Sequence, residues 1–223
     1  MSELFVVATP IGNLEDITRR AIRILSEVDL IAAEDTRQTK KLLDHYQITT
    51  PMTSYHKFNI KSKTSHIINL LNEGKRIALV SDSGMPGISD PGYELIREAV
   101  NQGIKVIPIP GPSAVITALA VSGLPTGKFV FLGFLQKKAG KRRKALRALA
   151  DFDGTIVLYE SPFRVVKCLK DILSVLGDRV VVVARELTKI YEELVRGKTS
   201  ELLKKFEQKS PKGEVVILIK GVD

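Results

Sequence analysis

A chain of 223 residues with 44% apolar content is long enough to bury the cores of two compact domains. Its apolar runs are far shorter than the roughly 20 residues that cross a bilayer, and its amino terminus lacks the basic region of a signal peptide. We therefore expect a soluble, cytoplasmic protein without a membrane partner, and the single cysteine excludes an internal disulfide and a multi-cysteine metal cluster.

The first half of the chain alternates short apolar runs with segments of helical period. We predict strands at residues 4–8, 30–33, 52–55, 77–80 and 106–109. The predicted helices between and after them begin at a cap at Asp16, before Leu42, near Ser62, at Tyr93 and at Ala114. This βαβα alternation is typical of a mainly parallel sheet with helices on both faces.

Residues 123–128 combine turn formers with a break in the apolar period, which predicts a domain boundary. We place one α/β domain at residues 1–122 and a second at residues 123–223. The second contains a basic helix, a helix around Cys168 and a short helix at 202–206, with strands at 129–134, 155–159, 180–184, 192–196 and 215–220. Its late strands could pair antiparallel, which predicts a mixed sheet.

The cysteine is predicted to be a core residue, and the three histidines to have surface or structural roles. Cys168 lies among apolar residues at helical spacing, which favours a core thiol over a nucleophile. His45, His56 and His66 share no ligand spacing, so we expect no metal site.

Between Ala99 and Ala150 there are nine basic residues and no acidic ones, which accounts for the whole formal charge of +9. Such a cluster predicts an anionic partner, because each neutralised phosphate releases counterions, whereas the alternative is a solvated helix face. Since acids are absent rather than interspersed, we favour the anionic partner. The residues predicted to bind it are Lys137, Lys138, Lys141, Arg142, Arg143 and Lys144.

Four loops follow predicted strand ends in the first half, at residues 9–13, 34–37, 81–92 and 110–113. In a parallel sheet such loops meet at the carboxyl edge, where small ligands bind. The longest loop, 81–92, is rich in glycine and proline, which can expose bare backbone to a ligand. Neither a P-loop nor Gly-x-Gly-x-x-Gly is present, and the hydroxyls and acids suit a ligand with an amine, a purine edge and a positive centre.

Eight short blocks of the sequence, read in their order along the chain, together resemble the pattern of a known family. They are residues 8–21 (ATPIGNLEDITRRA), 34–37 (EDTR), 81–92 (SDSGMPGISDPG), 110–114 (PGPSA), 122–125 (SGLP), 160–164 (ESPFR), 185–189 (RELTK) and 213–214 (GE). The chain with these blocks resembles the tetrapyrrole methylase superfamily, and more narrowly its ribosomal RNA branch. Met85 stands where porphyrin and corrin methylases usually carry an acid, which favours an RNA substrate over a tetrapyrrole.

The resemblance implies two α/β domains, S-adenosylmethionine bound in the cleft between them, and a homodimer. It also implies methyl transfer to the ribose 2'-hydroxyl of a cytidine in the 16S rRNA of the small ribosomal subunit. Carried over by position, the residues that bind the methyl donor are Pro10, Gly84, Met85, Pro86, Gly87, Ile88, Ser113, Ala114 and Tyr159. Asp82, an acid of the same loop, is added to them as a candidate.

A ribose hydroxyl is a weak nucleophile, so a base or a cation that favours its alkoxide should accelerate the transfer. The polar candidates for this role are Glu34, Asp35, Arg37, Arg185, Glu186 and Lys189. For each of them, an interdomain salt bridge is the alternative role. Two other functions stay open: a methyltransferase for a corrin or porphyrin precursor, and a non-catalytic module that binds RNA or senses S-adenosylmethionine.

Overall fold

The computed structural model describes residues 2–222, and the chain divides into two compact units between Ser113 and Ala114. Within the described residues, no helix combines the length and the apolar character needed to cross a bilayer.

The first unit is built on a five-stranded parallel sheet, as predicted. Its strands are β1 (Glu3–Val7), β2 (Leu30–Ala33), β3 (Met52–Ser54), β4 (Arg76–Val80) and β5 (Lys105–Ile109), in the spatial order β3-β2-β4-β1-β5. Its helices are α1 (Arg19–Glu27), α2 (Thr36–His45), α3 (Ile60–Asn72) and α4 (Tyr93–Asn101).

Both faces of this sheet are buried, because alternate residues of each strand point to opposite sides. In β4, Ala78 and Val80 belong to an apolar cluster that includes residues of α1 and α2. Ile77 and Leu79 belong to the cluster on the other face, which includes residues of α3 and α4. The sheet is therefore packed against helices on both faces, and its strand ends position the loops that follow them.

The predicted cap at Asp16 is wrong. Asp16 lies in a short 3-10 helix, Leu14–Asp16, and the hydroxyl of Thr18 caps α1 by accepting a hydrogen bond from the backbone N–H of Ala21 at 3.1 Å. The helix near Ser62 begins at Ile60, with Asn59 at its N-cap position. Asp and Thr are both good N-cap residues, so the sequence alone did not distinguish them.

The second unit contains a mixed sheet, which confirms the predicted antiparallel pairing of its late strands. The helices are α5 (Ala114–Ser122), α6 (Ala139–Arg147), α7 (Val165–Leu176) and α8 (Thr199–Gln208). The strands are β6 (Phe129–Phe134), β7 (Thr155–Glu160), β8 (Val180–Arg185), β9 (Glu193–Lys198) and β10 (Val215–Ile219), in the order β6-β7-β10-β8-β9. Strands β6 and β7 pair in parallel, and the other neighbours in this order pair antiparallel.

Helix α5 belongs to the second unit. It packs against β10, and the guanidinium of Arg196 in β9 donates hydrogen bonds to the carbonyls of Ser122 at 3.0 Å and Val121 at 2.5 Å. The turn-rich segment at 123–128 therefore connects α5 to β6 inside this unit, and the division of the chain falls one helix earlier.

A buried ion pair joins α6 to α7 in the core of the second unit. Arg142, only 4% exposed, donates from Nε to Oδ2 of Asp171 at 2.6 Å, and its Nη2 lies 2.5 Å from the same oxygen. Arg143 donates to the other carboxylate oxygen at 2.9 Å. Cys168 is also buried here, and its burial raises the pKa of the thiol to about 12, as expected for a core residue rather than a nucleophile.

We predict that Arg142→Met lowers the free energy of unfolding by about 3–5 kcal/mol, because it leaves the Asp171 carboxylate buried with only the half-exposed Arg143. Urea denaturation measures the change, and Arg147→Met on the exposed side of α6 is the control. The double variant Arg142→Met, Asp171→Leu should recover most of the loss. A single variant no less stable than the control would contradict the structural role of Arg142.

Candidate functional site

The loops that follow β1, β2, β4 and β5 lie at the carboxyl edge of the parallel sheet, and hydrogen bonds tie three of them together. Thr9 and Gly84 form an isolated antiparallel bridge, with N–H to carbonyl distances of 2.9 and 3.0 Å. The hydroxyl of Thr9 also donates to the carbonyl of Ser81 at 3.1 Å. The loops after β2 and β4 are joined by the backbone N–H of Asp35, which donates to the carboxylate of Asp82 at 3.0 Å.

Loop 81–92 is held in a folded shape by glycines with positive φ. Gly84 and Gly87 have φ of 75° and 82°, a region that favours glycine. Gly92 has φ of 150°, and a Cβ there would lie 2.9 Å from the backbone nitrogen of Gly87. The end of the loop at Gly92 therefore approaches its middle at Gly87, at a spacing that only glycine permits.

The predicted donor-binding residues of this unit take different positions along the loops. Pro10, Gly84 and Pro86 are buried, and Met85 and Gly87 are half-buried. Ile88 is 50% exposed and Asp82 is also exposed. Ser113 is the last residue of this unit, Ala114 begins α5 and the second unit, and both are half-buried. The accessible part of loop 81–92 thus includes the apolar side chains of Met85 and Ile88 and the carboxylate of Asp82.

The three acids at this edge differ in proton affinity. Burial raises the pKa of Glu34, and the charge of Asp82 adds to the effect. Partial desolvation raises the pKa of Asp82, although the residue as a whole is exposed, and the charge of Asp35 adds to the effect. Asp35 behaves in the opposite way: the guanidinium of Arg37, 2.7 Å away, and the backbone N–H of Arg37 lower its pKa to about 2. Glu34 and Asp82 are therefore the better proton acceptors, and Asp35 is the fixed anion.

A second polar cluster lies in the turn between β8 and β9. The ammonium of Lys189 donates to the carboxylates of Glu186 at 3.1 Å and of Glu214 at 2.9 Å. Burial lowers the pKa of Lys189, but these two carboxylates outweigh it, so the pKa lies above its ordinary value. Lys189 is therefore a fixed cation.

The backbone of this turn is strained. Glu186 and Thr188 have φ of 50° and 68°, although neither is glycine. The Glu186 conformation is held by Glu214, whose carbonyl accepts from the Glu186 N–H and whose N–H donates to the Glu186 carboxylate, each at 2.9 Å. Arg185 pairs with Glu193 at 2.8 Å. Arg185, Glu186 and Lys189 therefore each form an ion pair within the second unit.

Tyr159 lies in β7, and its ring contacts two phenylalanines of β6. Its ring centroid is 4.8 Å from that of Phe131 and 5.4 Å from that of Phe134. The adjacent Glu160 is buried and pairs with Arg164 at 2.5 Å. The predicted donor contact therefore belongs to an aromatic cluster at the carboxyl end of the parallel β6–β7 pair.

The basic segment is exposed, with one exception. Lys137, Lys138, Lys141, Arg143 and Lys144 are exposed along the start of α6 and the loop before it. Arg142 is buried against Asp171, so its assignment as an anion-binding residue is wrong. Its spacing explains the error: Arg142 and the buried Leu146 are one helical turn apart and share a face.

Three polar or aromatic side chains at these sites were missed in the sequence. Glu160 is buried with one carboxylate oxygen that has no hydrogen-bond partner among residues 2–222. Glu214 completes the Lys189 cluster, and Phe134 contacts Tyr159. The signal for Glu160 and Glu214 was their place in the blocks 160–164 and 213–214; Phe134 gave none, because an aromatic at a strand end usually packs. Within the described residues no group of three or more His, Cys, Asp or Glu could hold a metal ion.

The sequence matches one known family over most of its length. Residues 3–203 match the family described as Tetrapyrrole (Corrin/Porphyrin) Methylases. Relatives include proteins named Ribosomal RNA small subunit methyltransferase I. The one from Halalkalibacterium halodurans is 53% identical over 98% of this chain and 75% of its own. That from Thermotoga maritima is 51% identical over 99% of both chains.

Solved structures share the fold at low sequence identity. A cobalt precorrin-4 methyltransferase covers 98% of this chain and 95% of its own, with a TM-score of 0.73 and 18% identity. A uroporphyrin-III C-methyl transferase from Thermus thermophilus, complexed with S-adenosyl homocysteine, covers 98% and 97%, with a TM-score of 0.68 and 18% identity. These likenesses confirm the predicted fold class.

The Asp35–Arg37 pair gives a test by pH. Because the folded-state pKa of Asp35 is about 2, below its ordinary value of 3.8, the pair stabilises the fold above about pH 4, and this contribution is lost as the pH falls through 2. Asp35→Asn keeps an N-cap residue for α2 but removes the charge. We expect the difference in unfolding free energy between the two proteins to be largest above about pH 4 and to shrink below it.

Urea denaturation at several pH values measures this difference, with Asp151→Asn at an exposed loop position as the control. A difference that does not change with pH would show that the Asp35 charge does not stabilise the folded state.

Proposed function

The chain belongs to the tetrapyrrole methylase family, and from this premise we propose that it transfers a methyl group from S-adenosylmethionine to the RNA of the small ribosomal subunit. The observation that carries the proposal is the identity of about half of all residues, over nearly the whole chain, to relatives named Ribosomal RNA small subunit methyltransferase I. We further propose a cytidine 2'-hydroxyl of 16S rRNA as the acceptor. The homodimer and the cytoplasmic location stay predictions.

The residues at the carboxyl edge of the first sheet fit the methyl donor. S-adenosylmethionine supplies an electrophilic methyl group on a positively charged sulfur. Loop 81–92 offers half-buried Met85 and exposed Ile88 as apolar surface, and Asp82 as negative charge. Such a set suits a ligand that combines an apolar ring, polar groups and a cation. Pro10, Ser113, Ala114 and Tyr159 are the further proposed contacts.

The proton affinities divide the catalytic candidates. A general base works best when its pKa lies close to the working pH, and Glu34, whose pKa is raised, meets this condition better than Asp35, whose pKa is about 2. We assign the acceptance of the ribose proton to Glu34. Lys189 and Arg37 are cations that can bind a phosphate or the developing alkoxide. Asp35 orients Arg37, and Glu186 orients Lys189.

The exposed basic residues of the second unit support an RNA substrate. Lys137, Lys138, Lys141 and Lys144 are exposed in a stretch of chain without acids. These charges attract phosphates at long range, and the attraction weakens as the salt concentration rises, as is typical of RNA-binding proteins.

The acceptor is tested by incubating the protein with labelled S-adenosylmethionine and three acceptors: small ribosomal subunits, free rRNA and tetrapyrrole precursors. We expect label in the rRNA, as free rRNA or in the subunit, at a ribose 2'-hydroxyl of cytidine. Label in the tetrapyrrole, or in none of the three, would refute the proposal. Mapping of the labelled nucleotide tests the finer assignment separately.

Lys189→Ala should lower turnover roughly 100-fold and leave the dissociation constant of the donor nearly unchanged, because Lys189 is assigned to the acceptor rather than the donor. Single-turnover methylation and calorimetric donor binding measure the two effects, with exposed Lys209→Ala as the control. Unchanged turnover would remove Lys189 from the mechanism, and an equal loss of donor binding would place it in the donor site instead.

Gly92→Ala should weaken donor binding roughly 10- to 100-fold, because the Cβ of the new alanine displaces the backbone of Gly87 in loop 81–92. Gly74→Ala is a matched control: Gly74 also has a positive φ, of 92°, but a Cβ there meets nothing within 4 Å. Both substitutions strain the backbone, so only the difference between them reports on the loop. Equal donor affinities for the two variants would contradict the placement of the donor on this loop.

A further inference from the structure

The second unit contains a cavity of about 520 Å³ at the carboxyl end of β6. Its lining includes Phe134, Arg164 and three lysines, Lys137, Lys138 and Lys141. None of the described residues that line it is acidic. The volume falls in the range of roughly 300–1,000 Å³ that is typical of small-ligand sites.

Two arginines brace the loop that carries the first two lysines. Arg164 donates to the carbonyl of Leu135 at 3.4 Å, and Arg142 donates to the carbonyl of Lys137 at 3.2 Å. Each arginine is neutralised from inside the unit, Arg164 by Glu160 and Arg142 by Asp171. The arginines therefore fix the wall of the cavity and do not supply its net charge.

The three lysines carry the uncompensated charge. Lys137, Lys138 and Lys141 are exposed, and none of them forms an ion pair within residues 2–222. Three ammonium groups around one concave surface repel each other unless an anion lies between them. A phosphate group, with its several acceptor oxygens, satisfies this arrangement.

An aromatic ring lies beside these cations. Phe134 is 56% exposed and lines the cavity, and its ring contacts Tyr159, the proposed donor contact in the same unit. An exposed ring next to basic groups is the usual platform for an unpaired base of a single-stranded nucleic acid. A purely apolar ligand would have no use for the lysines, and a simple anion would have none for the ring.

We propose that this cavity is a subsite for one unpaired nucleotide of the RNA substrate, whose phosphate is bound by Lys137, Lys138 and Lys141 and whose base stacks on Phe134. The inference rests on the proposed function and adds to it the form of the substrate, a single-stranded segment. Because Phe134 contacts Tyr159, the bound nucleotide lies next to a residue assigned to the methyl donor.

The test compares the binding of two probes by fluorescence anisotropy: a short oligocytidylate and an abasic ribose-phosphate oligomer of the same length. The triple variant Lys137→Ala, Lys138→Ala, Lys141→Ala should weaken the binding of both probes. It should also reduce the slope of log affinity against log salt by about 0.7 for each phosphate that the variant no longer neutralises. Phe134→Ala should weaken only the oligocytidylate, by roughly tenfold, and leave the salt dependence unchanged.

Matched controls separate the cavity from general attraction. Lys167→Ala, Lys204→Ala, Lys209→Ala removes three exposed lysines elsewhere on the same unit. Phe134→Leu keeps apolar volume but removes the ring, so it should weaken oligocytidylate binding as Phe134→Ala does. Thermal unfolding of every variant verifies that it is folded.

Several outcomes would overturn the inference: an equal loss in the control triple variant, an equal loss of both probes in Phe134→Ala, or full affinity in Phe134→Leu. The binding measurement can be read without the methylation assay, because it needs no turnover. If the wild-type protein methylates ribosomal RNA but the lysine variant binds oligocytidylate normally, the subsite alone fails. If no acceptor is methylated while the probe results are as expected, the proposed function alone fails.

Discussion

The carboxyl edge of the parallel sheet is the constraint on which the candidate site of the first unit depends. Parallel strands require long crossover connections, and every strand end then delivers its loop to the same side. Here that edge is closed by the Thr9–Gly84 bridge, which gives the loops after β1 and β4 two backbone hydrogen bonds that no side-chain substitution removes directly. Glu34, Asp35 and Asp82 are then positioned by the strands that precede them.

The second unit concentrates positive charge at its surface, and the pairing of two of its arginines keeps this charge from weakening the fold. Arg142 and Arg164 are not part of the exposed surface, and the buried carboxylates of Asp171 and Glu160 neutralise them. Such pairs contribute little net stability but fix geometry, because either partner alone is costly to bury. The exposed lysines can therefore stay unpaired on a rigid backbone, where they are available to an external anion.

Much of the fold followed from the sequence, because apolar period and strand-end loops are local signals. Strands β2 and β6 lie where the pattern placed them, and the mixed sheet of the second unit was also expected. The attachment of α5 to the second unit was not predictable, since it depends on tertiary contacts with β9 and β10.

The candidate site was predictable in composition but less so in detail. The loops that meet at the sheet edge followed from the topology, whereas the difference in proton affinity between Glu34 and Asp35 depends on burial and on the neighbouring Arg37. The burial of Arg142 could have been inferred from its helical spacing to Leu146, but the uniform basic run around it concealed this signal. Glu214 is distant in sequence from Lys189, so only the folded chain brings them together.

The position of β10 has a consequence for synthesis on the ribosome. β10 (Val215–Ile219) lies between β7 and β8, which do not pair with each other. While the chain emerges from its amino-terminal end, the first unit can complete its sheet within residues up to Ile109, but β7 and β8 keep unpaired edges until β10 appears. The second unit thus has the later and more aggregation-exposed assembly, whereas the first can complete its sheet before it.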